Sequence, residues 1–279
     1  MDDLVAFGKA VGDARIVALG EASHGTREFF QMKHRLLEYL VKEKGFTVFA
    51  SEANWRESLA VDRYVKTGPG DPSRAVGNVL LEWNTEEVLA MIEWMRAYNQ
   101  AAGRPLLTFT SFDMQTPTVA AQRVVEYLRT TLPPEAATIE TVEQAQKIVG
   151  LFDARRAELV ERSSPAAWRD ARQAADIVRQ ALTLRAKAAS PGYRDEMMAR
   201  NVEWCAGWAP GSAGATAARC ACSASPSAAA KGERWEWNRA DAPAWPFTPR
   251  PCRRKGLAMP SSTAPVGPSG FWPDDLGSR

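Results

Sequence analysis

Residues 1–204 of this 279-residue chain contain no cysteine, and all four cysteines follow Trp204. Histidine is nearly as scarce, with only His24 and His34 in the whole sequence. The first 204 residues therefore offer no disulfide framework and few soft ligands for a metal. In the remainder, Cys220-Ala221-Cys222 lacks the two-residue spacing of a zinc or redox pair, so we predict no metal and no cofactor.

The sequence also lacks the usual signs of a membrane or a nucleic acid as partner. Its N-terminus has no basic start followed by an apolar run, and no segment approaches the roughly twenty apolar residues that span a bilayer. The one short basic run, Arg253-Arg254-Lys255, is too small to indicate nucleic-acid binding. We therefore expect a cytoplasmic protein that binds neither a membrane nor a nucleic acid.

Branched aliphatic residues nearly disappear after Trp204. Alanine, proline, glycine and serine make up more than half of residues 205–279, where only Leu257, Val266 and Leu276 are branched aliphatics. So little apolar surface cannot offset the conformational entropy lost on ordering the segment. We predict a single domain over residues 1–204 and a disordered or irregular tail over 205–279 that is not a folded domain.

Residues 1–204 alternate strand-like and helical patterns. Apolar runs at 15–19, 46–51 and 106–112 are separated by helical patterns, the first of which covers 26–44. This order predicts βαβ units and hence an α/β fold with a mostly parallel sheet flanked by helices.

A helical insertion is predicted at 136–190. The pattern there changes to long segments rich in alanine, arginine, glutamate and glutamine, interrupted near Ser163-Ser164-Pro165. Another helix begins near Tyr193 and should lead into a further strand. No strand-like pattern follows, so we predict none after Trp204.

Ionisable residues follow three of the predicted strands. Glu21 and His24 come after the first, Glu52 ends the second and Asp113 ends the third. Because the carboxyl ends of parallel strands meet at one edge of a sheet, these residues are predicted to share one crevice.

The expected chemistry of this crevice is general acid–base catalysis. His24 stands where a helix begins, and the positive end of the helix dipole favours its neutral form, which acts as a base. Either Glu21 or Glu52 would orient the imidazole, and the other would position water or protonate the leaving alkoxide. Alternatively, His24 hydrogen-bonds the backbone of a turn, and the acids cap helices or face solvent.

Other residues allow two interpretations each. Trp83 is predicted to bind substrate as part of an apolar wall, or else to belong to the core. Arg194 either closes the site or pairs with Asp195 at a helix start. His34 shares a face with Lys33 and Arg35 and is expected to be exposed.

Six ordered motifs over about residues 12–204 carry a family resemblance. They are Gly20-Glu21-Ala22-Ser23-His24-Gly25, Glu28-Phe29, Gly45-Phe46 before the strand ending in Glu52, Trp83-Asn84-Thr85-Glu86, Phe112-Asp113, and Arg194-Asp195 with Met198-Ala199 and Asn201. This set resembles the erythromycin esterase family, which also includes succinoglycan-biosynthesis-like proteins. The resemblance implies metal-independent hydrolysis of a macrolide lactone, and hence antibiotic resistance, with His24 as the base and Glu21 and Glu52 as acidic site residues.

The chain departs from this family after Trp204. Family members continue into an apolar strand that ends in a second site histidine, whereas this chain has no histidine after His34. We hypothesise that the reading frame is lost just after Trp204 and that the C-terminal part is truncated or frameshifted. If neither of the other two frames of the gene encodes an apolar strand with a histidine, this hypothesis is wrong.

Three functions follow from these observations. The first is metal-independent hydrolysis of a carboxylic ester, with an erythromycin-type lactone as substrate. The second is a metal-assisted hydrolase with His24, Glu52 and Asp113 as hard-metal ligands. The third is a catalytically impaired fragment or binding scaffold that lacks the histidine strand.

Overall fold

The computed structural model describes residues 2–21, 26–55, 57–68, 70–77, 83–136, 138–186, 192–207 and 219–224. The helices are α1 (Val5–Val11), α2 (Arg27–Lys44), α3 (Leu59–Thr67), α4 (Pro72–Gly77), α5 (Glu86–Ala101), α6 (Thr118–Thr131), α7 (Val142–Ala154), α8 (Arg156–Glu161), α9 (Pro165–Ala186) and α10 (Tyr193–Gly207). The strands are β1 (Ile16–Gly20), β2 (Val48–Asn54), β3 (Thr108–Asp113) and β4 (Cys220–Ala224). Short 3₁₀ turns lie at Asp2–Leu4 and Pro133–Glu135.

The four strands form one parallel sheet in the order β1-β4-β2-β3. Helices connect successive strands and cover both faces, as a parallel sheet requires. The predicted α/β fold is therefore confirmed, with β1 and β3 close to their expected positions. The second strand runs further than predicted, so Glu52 lies inside β2 and the strand ends at Asn54.

The prediction of no strand after Trp204 is wrong. Helix α10 continues to Gly207, and β4 inserts between β1 and β2, pairing Ala221 with Val17 on one side and with Phe49 on the other. Small side chains suit this position because strands flank β4 on both sides and helices cover both faces. The domain boundary at 204 and the frame-loss hypothesis stay predictions, and the rest of the tail lies outside the described residues.

Alternation along the strands divides the core between the two faces of the sheet. Phe49 of β2, Phe109 of β3 and Ala221 of β4 pack with α2, α3 and α5 on one face. Cys220 and Cys222 pack with α6, α7, α9 and α10 on the other. Strand β4 thus contributes to both cores.

Local sequence signals fix the ends of the helices that lead into the site. Helix α2 ends at Lys44, and the following Gly45 adopts a left-handed conformation (φ 68°) that favours glycine. At the N-terminus of α5, the Thr85 hydroxyl accepts a hydrogen bond from the Val88 amide at 3.2 Å. The segment predicted to be a helical insertion contains α7, α8 and α9, which pack in one core with α6, and its origin as an insertion stays a prediction.

Candidate active site

Polar side chains from all four strands lie at the carboxyl end of the sheet. Glu21 directly follows β1, Glu52 lies near the end of β2, Asp113 ends β3 and Ser223 precedes the last residue of β4. All four residues are buried. Loops and helix starts at this edge form the usual ligand crevice of parallel α/β sheets.

Arg194 joins the acidic residues of two neighbouring strands. Its Nη2 atom lies 2.6 Å from Asp113 Oδ2 and 2.9 Å from Glu52 Oε1, and its Nε atom lies 3.2 Å from Asp113 Oδ1. The two contacts with Asp113 form a bidentate pair, the geometry for which the planar guanidinium is suited. Arg194 at the start of α10 thus ties the helix to β2 and β3.

The Asp113 carboxylate is fully buried and well satisfied. Besides Arg194, it accepts hydrogen bonds from the Met114 amide at 2.7 Å and from Gln115 Nε2 at 2.6 Å. Burial acts to lower the pKa of Arg194, but the hydrogen bonds and charges of Asp113 and Glu52 outweigh it and raise the pKa above its ordinary value. The guanidinium is therefore a permanent positive charge at this edge.

Glu21 has a cationic partner of its own. Lys33 of α2 forms a buried ion pair and hydrogen bond with Glu21 and donates a second hydrogen bond to Ser223 Oγ. Burial lowers the pKa of Lys33, although the charges of Glu21 and Glu52 oppose this shift. The Lys33 ammonium therefore holds Glu21 and Ser223 together, whereas Glu52 is held by Arg194.

The expectation that Lys33 and His34 share an exposed face is wrong. Lys33 is only 2% exposed, and its ammonium lies over the rings of Phe30 and Trp83 at 5.4 and 5.6 Å. His34 is half-buried against Trp94, with ring centroids 5.7 Å apart. The pattern contained the signal for Lys33, because the residue lies three positions after the buried Phe30 and so continues the inward stripe of α2.

Trp83 belongs to the core and borders the site. It is 4% exposed, packs against Phe30 with ring centroids 5.5 Å apart and donates its indole N–H to the backbone oxygen of Glu52 at 3.3 Å. The indole therefore supports the backbone beneath a predicted site residue. Its predicted role in substrate binding stays a prediction.

The structure thus brings Glu21, Glu52, Asp113 and Arg194 to one edge of the sheet. His24 falls in residues 22–25, outside the described residues, and its predicted role as the base stays a prediction. Sequence reasoning missed Lys33 and Ser223, which also belong to this edge.

Alternative chemistries find little support in the described part of the chain. No group of three or more histidine, cysteine, aspartate or glutamate side chains there is arranged to hold a metal ion. Glu52 and Asp113, the ligands of the metal hypothesis, are both bound by Arg194, which a metal would have to displace.

Burial raises the pKa of Cys205 and Cys222 to about 12, so these thiols are poor nucleophiles. Among the described residues, no helix is both long and apolar enough to cross a bilayer.

Comparisons with known proteins find similar sequences for part of the chain. Residues 41–145 match the protein family described as erythromycin esterase. Erythromycin esterase type II of Escherichia coli is 36% identical over 114 residues, which are 40% of this chain and 26% of the relative. The chain therefore spans about a quarter of the length of this curated relative.

Solved structures share the fold over a longer range. A Bacillus cereus protein is 27% identical with a TM-score of 0.66, and the match covers 80% of this chain and 59% of that one. A mutant of the erythromycin esterase EreC, in its open conformation, is 16% identical with a TM-score of 0.60, over 80% of this chain and 64% of that one. The chain thus resembles the erythromycin esterase family in sequence over residues 41–145 and shares the fold of these solved structures over a longer range.

Proposed function

We propose that the chain hydrolyses a carboxylic ester by attack of a water molecule that His24 activates. The observation that carries this proposal is that Glu21 and Glu52 both lie buried at the carboxyl end of the sheet, where Lys33 pairs with Glu21 and Arg194 pairs with Glu52. This placement supports a site in which two carboxylates with fixed orientations flank a base supplied by the residues that follow Glu21.

In the proposed mechanism, Glu21 and Glu52 have different roles around His24. His24 stands three residues before Arg27, the first residue of α2, so the positive end of the helix dipole favours the neutral imidazole. Glu21, held by Lys33, orients the imidazole, and Glu52, held by Arg194, positions the water. The imidazole takes a proton as the water attacks the ester carbonyl, and it returns this proton to the alkoxide when the C–O bond breaks.

The proposed substrate is a macrolide lactone of the erythromycin type. Support comes from the Escherichia coli relative, whose name states that activity, and from the motif set around Glu21, His24 and Glu52. Such a substrate is a small molecule. We propose that the reaction takes place in the cytoplasm.

Incubation of the purified chain with erythromycin tests this function. We expect the product to have the mass of the antibiotic plus one water molecule. The variants H24A and E52Q should each lower kcat/KM by about 10²- to 10⁴-fold, the usual contribution of an acid–base group. Glu196 forms an exposed pair with Arg200, so E196Q is the matched control and should leave turnover unchanged.

One observation favours a second candidate, a binding scaffold with impaired catalysis. By resemblance to the family, the strand that follows α10 is expected to end in a second site histidine. Strand β4 carries Ser223 near its end instead, and the sequence has no histidine after His34. On this reading, erythromycin binds and leaves unchanged. Calorimetry that detects binding, together with mass spectra that show no hydrated product, would select this candidate over the first.

A further inference from the structure

A concave surface lies between α2 and α5, on the side of α2 that carries His34, whereas Lys33 faces the carboxylate cluster. It encloses about 400 Å³, which is within the usual range of small-molecule sites. We call it the α2/α5 groove. Its walls are Arg27, Gln31, His34, Arg35 and Glu38 of α2, and Glu86, Glu87 and Ala90 of α5.

Three buried polar atoms on the walls of this groove find no hydrogen-bond partner within the described part of the chain. They are Glu87 Oε2, Arg27 Nε and His34 Nε2. The Glu87 side chain is only 7% exposed, which makes an unsatisfied carboxylate oxygen costly. Proteins rarely leave such groups without a partner, so their clustering points to a ligand.

Nearby charges do not satisfy these atoms. Arg27 Nε lies 3.2 Å from Glu87 Oε1, and His34 Nε2 lies 3.5 Å from Glu38 Oε1, but neither contact has the geometry of a hydrogen bond. The Arg27–Glu87 ion pair therefore balances charge, but both contacts leave specific donor and acceptor positions open.

The chemistry of the three atoms limits the class of ligand. An arginine Nε–H can only donate, a carboxylate oxygen can only accept, and a neutral imidazole nitrogen can do either. Burial lowers the pKa of His34, which favours the neutral ring. A hydroxyl group both donates and accepts, so a compact molecule with several hydroxyls can satisfy all three atoms.

We propose that the α2/α5 groove binds a sugar, with hydroxyl groups hydrogen-bonded to Glu87, Arg27 and His34. The side chains of Gln31 on α2 and Glu86 on α5 add polar partners on the two sides of the groove. This site is distinct from the carboxylate cluster because His34 faces the groove, whereas the adjacent Lys33 faces Glu21. The proposal does not depend on ester hydrolysis.

Saturation-transfer NMR on the full chain tests the proposal, with a panel of neutral hexoses, 6-deoxyhexoses and amino sugars as probes. We expect at least one sugar to receive saturation from the protein. The signal should fall at least tenfold in E87Q and in A90W. Ala90 is exposed, so the indole can fill the groove without disturbing the core. The matched control is E93Q, because Glu93 is exposed on α5 outside the groove and its loss should change nothing.

Three results would overturn the proposal. The first is the absence of saturation for every sugar in the panel, which would mean that water alone satisfies the three atoms. The second is a signal that survives in both E87Q and A90W. The third is a signal that E52Q abolishes and A90W leaves intact, because the sugar would then occupy the carboxylate cluster.

Discussion

At the level of single residues, each group of acids at the sheet edge is matched by one cation from a helix. Arg194 of α10 serves Glu52 and Asp113, and Lys33 of α2 serves Glu21. The acids could be predicted from the sequence because they follow apolar runs. Their pairing could not, because it depends on where two distant helices pack.

Removing the charge of Asp113 should destabilise the fold. In D113N, Arg194 loses its bidentate carboxylate partner. The NH2 group of the new asparagine also replaces an oxygen that accepted hydrogen bonds, so donor then faces donor. Hydrogen bonds to charged groups contribute about 1.5–3 kcal/mol each, so we expect a loss of about 2–3 kcal/mol in the free energy of unfolding. Urea unfolding measures this, with E196Q as an exposed ion-pair control. An unchanged midpoint in D113N would show that the pair is not formed.

Removing the charge of Glu57 should stabilise the fold, in contrast to D113N, and the effect should depend on pH. Burial raises the pKa of Glu57 above its ordinary value of 4.5, against a hydrogen bond from Asn54, and the nearby charge of Asp113 adds to the rise. The folded state therefore binds the proton more tightly than the unfolded state does. The resulting stabilisation is present below 4.5 and is lost as pH rises through the folded pKa.

The variant E57Q should accordingly unfold at a higher urea concentration than the wild type at neutral pH. Glutamine keeps an oxygen that can accept from Asn54 but carries no charge. Below pH 4.5 the two proteins should unfold at the same urea concentration, because Glu57 is then neutral in both states. A gain of equal size at both pH values would contradict this assignment, and E93Q serves as the exposed control.

At the level of elements, β4 is the strand that sequence patterns did not reveal. Its residues, Cys-Ala-Cys-Ser-Ala, include no β-branched or aromatic side chain, and the flanking composition resembles a disordered segment. The strand forms because β1 and β2 leave room for one more strand between them, so its position follows from tertiary structure. By contrast, β1, β2 and β3 carry their own apolar runs and were predictable from sequence.

Proline at position 221 should disrupt the sheet. Ala221 lies opposite Val17 of β1 and Phe49 of β2, so the ring in A221P removes an N–H donor in a central strand and crowds its neighbours. We expect a loss of about 3 kcal/mol or more in the free energy of unfolding. The control A221G keeps the N–H and should cost only about 0.5–1 kcal/mol. Equal and small effects of the two substitutions, measured by urea unfolding, would show that β4 is not a central strand.

At the level of the whole molecule, the sheet lies between two hydrophobic cores. Helices α2 to α5 cover one face and α6 to α10 the other, and β4 supplies Ala221 to the first core and Cys220 and Cys222 to the second. The order of strands and helices was sufficient to predict this layered arrangement. Loss of β4 should therefore weaken both cores together, and the protein should unfold in one cooperative transition.

Thiol labelling tests this cooperativity, because three buried cysteines report on α10 and β4. Cys205, Cys220 and Cys222 are buried, and burial raises the pKa of Cys205 and Cys222 to about 12. Iodoacetamide should alkylate them at least about 10³-fold more slowly in the native chain than in guanidinium, since labelling requires opening of the fold. Trypsin separates the reporters, because cleavage after Arg200 and Arg219 places Cys205 in one peptide and the other two in the next.

Raising urea below the unfolding midpoint should accelerate labelling of both peptides by the same factor, because α10 and β4 open with the whole sheet. The fully denatured chain supplies the control rate for each thiol. Rapid labelling of Cys220 and Cys222 in native buffer, with Cys205 still protected, would contradict the prediction. It would mean that the sheet holds together without its fourth strand, and that the pairing of Lys33 with Ser223 contributes nothing to the arrangement of Glu21.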